Sequence, residues 1–197
     1  MEAQRMILIG LTGLAQSGKD TVADYLVSRY GFEKRSFAAP LKRVLLAQDP
    51  ILGMDPMRPG HIIKLSHALQ NIGEDGVKKI FPEYRRLLQQ LGTEGIRGID
   101  QDFWVKAATN DLDKERGKYV FTDVRFPNEA ECIGNLRGSL WQVERHLAHK
   151  EDTHASESWA GRMGEDYLIY NNGSMDKLYN EVEYALGHHN WAARWAA

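Results

Sequence analysis

The chain has 197 residues, 43% hydrophobic and 26% charged, a balance that excludes a disordered or collagen-like polymer and suits one domain, or one domain with a lid. Lys plus Arg number 25 against 27 Asp plus Glu, a net charge of −2, which excludes a strongly basic nucleic-acid coat while leaving room for a local basic site. The lone Cys132 cannot close an internal disulfide, which suits a reducing compartment, and no apolar run approaches the ~20 residues that span a bilayer.

Along the chain, Met6-Ile7-Leu8-Ile9 is a short apolar run ended by glycines, the pattern of a strand buried on both faces of a parallel sheet. The segment from Met6 to Ala15, with Arg5 before it, faintly resembles a signal-peptide core, but Gly10 and Gly13 interrupt it and the next residues fit a mature fold. From Lys19 to Tyr30, Val22, Ala23, Leu26 and Val27 recur at helical spacing, and Gly31 closes the helix. Residues 34–37 read as a second strand, Pro40 opens a helix, and residues 49–60, rich in Pro and Gly, read as a loop or hinge. From His61 to about Gly117 the pattern is helical, broken near Gly73, at Pro82 and across Gly92 to Gly98, with no convincing strand. Alternation then returns: a strand at 118–123, a helix from Pro127, a strand at 139–144, a polar stretch at 145–165, a strand at 166–170, and a helix capped by Ser174 that runs to about Leu186. Strand–helix alternation around a helical insert predicts an α/β fold, a parallel sheet of about five strands in three layers. The expected organisation is a single domain over 1–197, with the insert at about 49–117 and the lid at about 145–165.

Residues 13–19, Gly-Leu-Ala-Gln-Ser-Gly-Lys, fit G-x-x-x-x-G-K and lie between that first strand and the amphipathic helix. There, Gly13, Ser17 and Gly18 allow the backbone to wrap phosphate oxygens, the helix N-terminus adds a positive end, and Lys19 reaches the β- and γ-phosphates. The next residue departs from the pattern: a hydroxyl that binds Mg²⁺ is expected, but Asp20 stands there, followed by Thr21 about 100° further round the helix. A carboxylate beside a triphosphate needs a cation between them, so Asp20 is read as a Mg²⁺ partner through water or as the partner of a lid arginine.

The run Gln-Ser-Gly-Lys-Asp-Thr-Val-Ala-Asp-Tyr-Leu at 16–26 resembles the phosphate loop of bacteriophage deoxynucleoside monophosphate kinases, where Asp after the lysine is usual. Residues 36–42, 91–97 with Asp102 and Trp104, 122–129 and 154–157 agree in order, and residues 170–178 resemble small P-loop kinases more widely. The resemblance implies a P-loop kinase fold and an enzyme that transfers phosphate from ATP to a deoxynucleoside monophosphate with Mg²⁺. It implies that Arg125 binds acceptor or transferring phosphate, that Asp123 orders Mg²⁺ or water, and that Arg97 clamps the incoming nucleotide. Ala15, Asp102, His154, Ser156 and Glu157 are its other implied acceptor contacts.

Chemistry alone adds further candidates. Phe37 and Trp104 suit walls of a base pocket, or core; Lys42 suits phosphate, or solvent; Arg145 suits a hinge arginine that arrives on closure, with Arg162 competing. Asp123 and Arg125 also suit a structural pair capping the next helix. His146, His149 and His154 lack zinc spacing and read as loop residues. A phosphate monoester acceptor is mostly a dianionic nucleophile at neutral pH and needs no general base. Two alternatives stay open: a kinase of a small-metabolite hydroxyl, similar to dephospho-coenzyme A kinases, in which Asp123 becomes the base, and a non-catalytic nucleotide-binding module. The expected partners are small molecules, with no polymeric nucleic acid and no membrane; a homodimer stays open, and the expected compartment is the cytoplasm, that of the host bacterium for a phage-encoded chain.

Overall fold

The computed structural model describes residues 6–55, 57–146, 159 and 161–188. In chain order the first elements are β1 (Ile7–Thr12), α1 (Lys19–Tyr30), β2 (Glu33–Arg35), α2 (Ala39–Gln48), β3 (Ile51–Met54), β4 (Ile62–Lys64), α3 (Leu65–Ile80) and α4 (Pro82–Gln89). A π-helical segment (Gln90–Ile96) and a single turn α5 (Arg97–Ile99) follow, then α6 (Phe103–Thr109), β5 (Lys118–Phe121), α7 (Pro127–Asn135), β6 (Ser139–Glu144), β7 (Tyr167–Tyr170) and α8 (Met175–His188). The chain forms two compact units, one of residues up to Phe37 and from Thr109 onward, the other Ala38–Ala108.

The first unit holds a five-stranded sheet in the order β2-β5-β1-β6-β7, with every pairing parallel. Strand β1 is central and, apart from its first residue, buried, which is why it reads as an unbroken apolar run and not as an alternation. On one face Ile9, Leu11, Trp141, Val143 and Ile169 pack against Val22 and Leu26 of α1 and Leu178 and Val182 of α8. On the other, α7 comes so close that a side chain at Gly10 would meet Ile133 and Val124 at 3.0 Å. Helices on both faces make a three-layer α/β arrangement, as the sequence predicts.

The second unit has its own core of Leu45, Leu52, Leu65, Ala68, Val77 and Tyr84. It corrects the sequence reading in three places. Residues 51–54 and 62–64, read as loop and helix, form an antiparallel hairpin; its strands are too short for a period to show, and only Leu52 is buried. The glycines at 92–98 do not break the helix: the π-helical segment carries the chain through, with Gly92 packed on Leu41 and its carbonyl accepting the Trp104 indole N–H at 3.1 Å. Helix α6 ends at Thr109, not near Gly117, and the chain beyond it turns where the Asp113 carboxylate accepts the N–H groups of Glu115 and Arg116. Gly73 (φ +66°) kinks α3 and Pro82 opens α4, at the positions predicted. Among the described residues no helix is long and apolar enough to cross a membrane.

Candidate active site

Between β1 and α1 the backbone turns through three left-handed residues: Gly13 (φ +139°), Gln16 (φ +62°) and Gly18 (φ +106°). Both glycines are required. A Cβ at Gly13 would lie 2.3 Å from the Val143 carbonyl oxygen, and one at Gly18 would lie 2.3 Å from the Asn171 side-chain nitrogen. Helix α1 begins at Lys19, so its first-turn N–H groups, which have no partner within the helix, belong to the loop. The Lys19 ammonium donates to the carbonyl oxygens of Gly13 and Leu14, each at 2.7 Å, and so closes the loop on itself. Ser17 is buried, and among the described residues its hydroxyl has no hydrogen-bond partner.

The segment after β7 backs this loop. Asn171 donates its main-chain N–H to the Glu144 carbonyl and its side-chain amide to the Ser17 carbonyl, both at 2.8 Å. Asn172 accepts the His146 N–H at 2.8 Å, and Ser174 accepts from Lys177 at the start of α8. Loop and backing segment enclose a cleft of about 530 Å³ lined by Gln16, Lys19, Asp20 and Thr21 on one side and Arg145, Asn171, Gly173 and Ser174 on the other. That volume is in the range of small-ligand sites.

Asp20, the departure from the common motif, is 79% exposed at its side chain and pairs with Lys34 of β2 at 2.8 Å. Lys34 also holds Asp24, one turn further along α1, at 3.1 Å. Partial burial works against the Lys34 charge, but Asp20 and Asp24 outweigh it and leave the ammonium above the ordinary lysine range.

At the C-terminal end of β5, Asp123 accepts the Ser36 hydroxyl at 2.6 Å and the Phe37 N–H at 2.8 Å, fixing the segment that leaves β2. That is why β2 stops at Arg35, two residues short of the predicted end. Arg125 is exposed, and its N–H, together with that of Phe126, is received by the buried carboxylate of Glu129 at 2.8 and 3.1 Å. Glu129 is thus the helix-capping half of a capping box at the start of α7.

The structure brings Gly13, Ser17, Gly18, Lys19, Asp20 and Thr21 together, with Arg145 exposed on the same cleft. Ala15 is exposed on the loop. Phe37 is buried and stacks on Phe121, ring centroids 4.4 Å apart. In the second unit, Trp104 is buried, Lys42 pairs with Glu74 at 2.6 Å, Arg97 is half-buried at the end of the π-helical segment, and Asp102 is exposed. Burial would raise the Glu74 carboxyl, but Lys42 and Lys78 hold it below the usual carboxylate range. His154, Ser156 and Glu157 lie outside the described residues. Ser36, Glu129 and Asn171 lie in segments that carry the resemblance, and Lys34 in the second predicted strand, but the sequence reading assigns none of them a role. Only Glu129 had a local signal, a carboxylate three residues after Phe126 and two after Pro127; the others act on residues distant along the chain.

A family model described as deoxynucleotide monophosphate kinase matches residues 62–182. A protein of Acanthamoeba polyphaga mimivirus named for the same enzyme is 30% identical over 90% of this chain and 94% of its own. The deoxynucleotide monophosphate kinase of Enterobacteria phage T4 is 26% identical over 92% of this chain and 99% of its own, and the deoxynucleoside-5'-monophosphate kinase of Escherichia phage T5 is 25% identical over 77% and 84%. The family model covers more than half of the chain, and with these relatives the chain belongs to the deoxynucleotide monophosphate kinase family.

Proposed function

We propose that this chain transfers the γ-phosphoryl group of ATP to the phosphate of a deoxynucleoside monophosphate, giving ADP and a deoxynucleoside diphosphate, with Mg²⁺ accompanying the donor. Family membership makes it an ATP-dependent phosphotransferase acting on deoxynucleoside monophosphates. The observation that carries the residue roles is the strand–loop–helix junction, whose lysine sits on the loop's own carbonyls beside a cleft of about 530 Å³.

In the transfer, an oxygen of the acceptor phosphate bonds to the γ-phosphorus while the bond to the bridging oxygen breaks, and ADP leaves with that electron pair. Loop residues Gly13, Ser17, Gly18 and Thr21 hold the donor, Lys19 moves from the Gly13 and Leu14 carbonyls to its terminal phosphates, and Arg125 and Arg145 balance charge on the transferring group. Acceptor recognition is assigned to Ala15, Phe37, Lys42, Arg97, Asp102 and Trp104 with Arg125, and to His154, Ser156 and Glu157. Magnesium fits as an ion carried by the nucleotide. Among the described residues no group of three His, Cys, Asp or Glu could hold a metal, whereas the Asp20 carboxylate lines the cleft, and Mg²⁺ commonly keeps waters and phosphate oxygens with one or two carboxylates. Asp20 would hold it through water, and the ion supplies charge neutralisation when bound.

Asp123 receives two donors from residues 36 and 37, an arrangement suited to holding a segment and ordering water more than to abstracting a proton. That supports a phosphate acceptor over a hydroxyl. The phage relatives support a role in the host cytoplasm, supplying precursors of DNA. The test is a coupled assay of ADP release with each of the four deoxynucleoside and four ribonucleoside monophosphates, and with dephospho-coenzyme A as a hydroxyl acceptor, offered singly. ADP production with at least one deoxynucleotide is expected. ATP binding without ADP from any acceptor would replace the reading with a binding module, and production with a hydroxyl acceptor alone would replace it with the other kinase class.

A further inference from the structure

The residue after Lys19 is a carboxylate in a cleft meant for a triphosphate, and the reading of that cleft as the donor site is the ground on which the following stands. An unscreened anion there would oppose the donor. In this structure Asp20 is not unscreened: the Lys34 ammonium lies 2.8 Å from its oxygen, and Lys34 is held in turn by Asp24 at 3.1 Å. Three side chains from two elements, α1 and β2, are therefore locked in one chain of charge, with its cleft end at Asp20. The side chain of Lys34 is 36% exposed against 79% for Asp20, so the cation is the less hydrated member and the less free to leave. Lys34 is not among the residues lining the cleft. Whatever it does for a nucleotide it does through Asp20.

We propose that Lys34 is a positioning residue for the donor nucleotide. It compensates and orients the Asp20 carboxylate, so that the phosphates and their cation meet a fixed, neutralised group where the common motif has a hydroxyl. Asp24 anchors the lysine from below and adds no function of its own.

The experiment is a double-mutant cycle read by equilibrium titration with a fluorescent ATP analogue, with Mg²⁺ and again with EDTA. Turnover is then followed as KM for ATP against kcat. Lys34→Met is expected to weaken analogue binding about 5- to 20-fold and to raise KM for ATP by a similar factor, with kcat within about threefold. Lys34→Arg, which keeps the charge, should stay within about twofold of the parent. In an Asp20→Asn background, Lys34→Met should shift binding less than about twofold, because the charge it compensates is gone. An equal loss in both backgrounds would mean that Lys34 meets the nucleotide directly, and no loss in either would mean an idle surface pair; each overturns the proposal. Lys34→Gln repeats the cycle if Lys34→Met proves unfolded by thermal melting. The binding readout needs no acceptor. A parent chain that does not bind the analogue refutes the donor-site reading itself, whereas a parent that binds with a flat cycle refutes only the role of Lys34.

Discussion

Replacing Gly18 by alanine tests the loop's construction most directly. Gly18 sits at φ +106° immediately before α1, a conformation that costs an L-residue roughly 1–2 kcal/mol. The added Cβ would stand 2.3 Å from the Asn171 side-chain nitrogen, so that amide must withdraw and give up its 2.8 Å hydrogen bond to the Ser17 carbonyl, worth about 1 kcal/mol net. Together the two effects come to about 2–3 kcal/mol. For a chain of this size 1 kcal/mol moves Tm by about 2–4 °C, so a fall of roughly 4–12 °C is expected. Thermal melting gives the stability, and calorimetric titration with ATP gives the second readout, expected to weaken at least tenfold because the displaced segment carries Lys19. The two costs can be separated. With Asn171→Ala already present the collision is gone, and Gly18→Ala should cost only its backbone share, about 1–2 kcal/mol. A Tm within 1 °C of the parent, or an identical cost in both backgrounds, would refute the reasoning.

Three further outcomes follow from other contacts. Lys19→Ala should lower kcat/KM for ATP at least about 100-fold while circular dichroism and Tm stay near those of the parent; normal turnover would remove Lys19 from the phosphates. Glu129→Ala should destabilise the chain by about 1–3 kcal/mol in urea denaturation, since the N–H groups of Arg125 and Phe126 lose their buried acceptor, and Glu129→Gln should recover part of it. Glu183 of α8 receives hydroxyls from Tyr25 and Tyr30; these bonds hold its carboxyl below the usual range, raise Tyr25, and push Tyr30 up to about 12. The carboxylate's contribution is present above its unfolded value near 4.3 and fades as pH falls; that of the tyrosines is present below about 10 and fades as pH climbs towards 12. The stability gap between the parent and Glu183→Gln should therefore be widest from about pH 6 to 9 and narrow on both sides; a gap that is flat with pH would discount the triad.

The parts of this molecule that were legible in its sequence are those where neighbours along the chain are also neighbours in space. β1, the loop and α1 are one continuous stretch, so apolar run, glycines and helical period sit side by side. Strand β6 was read at its observed limits because Leu140, Trp141 and Val143 give it a compact apolar run, and four of its six residues are buried. The hairpin of β3 and β4 was lost because strands of four and three residues carry two full periods at most. Lys34 could not be matched to Asp20, which lies fourteen residues away with a helix between them; only the return of α1 onto β2 brings the two within 2.8 Å. Asn171 is further still, and its bond to Ser17 exists because β7 ends beside the loop that follows β1. Trp104 shows the limit of residue type: an indole suits a base or a core equally well, and here its N–H is taken up by the Gly92 carbonyl.

The way Lys19 is stationed has a kinetic consequence. A free lysine side chain samples many rotamers, and gathering it onto a ligand costs about 2 kcal/mol of rotational freedom. Here two carbonyls of the loop already hold the ammonium. On the proposed reading of this cleft as the donor site, an arriving triphosphate would only swap partners with those carbonyls, and capture would need no search for the lysine's rotamer after contact.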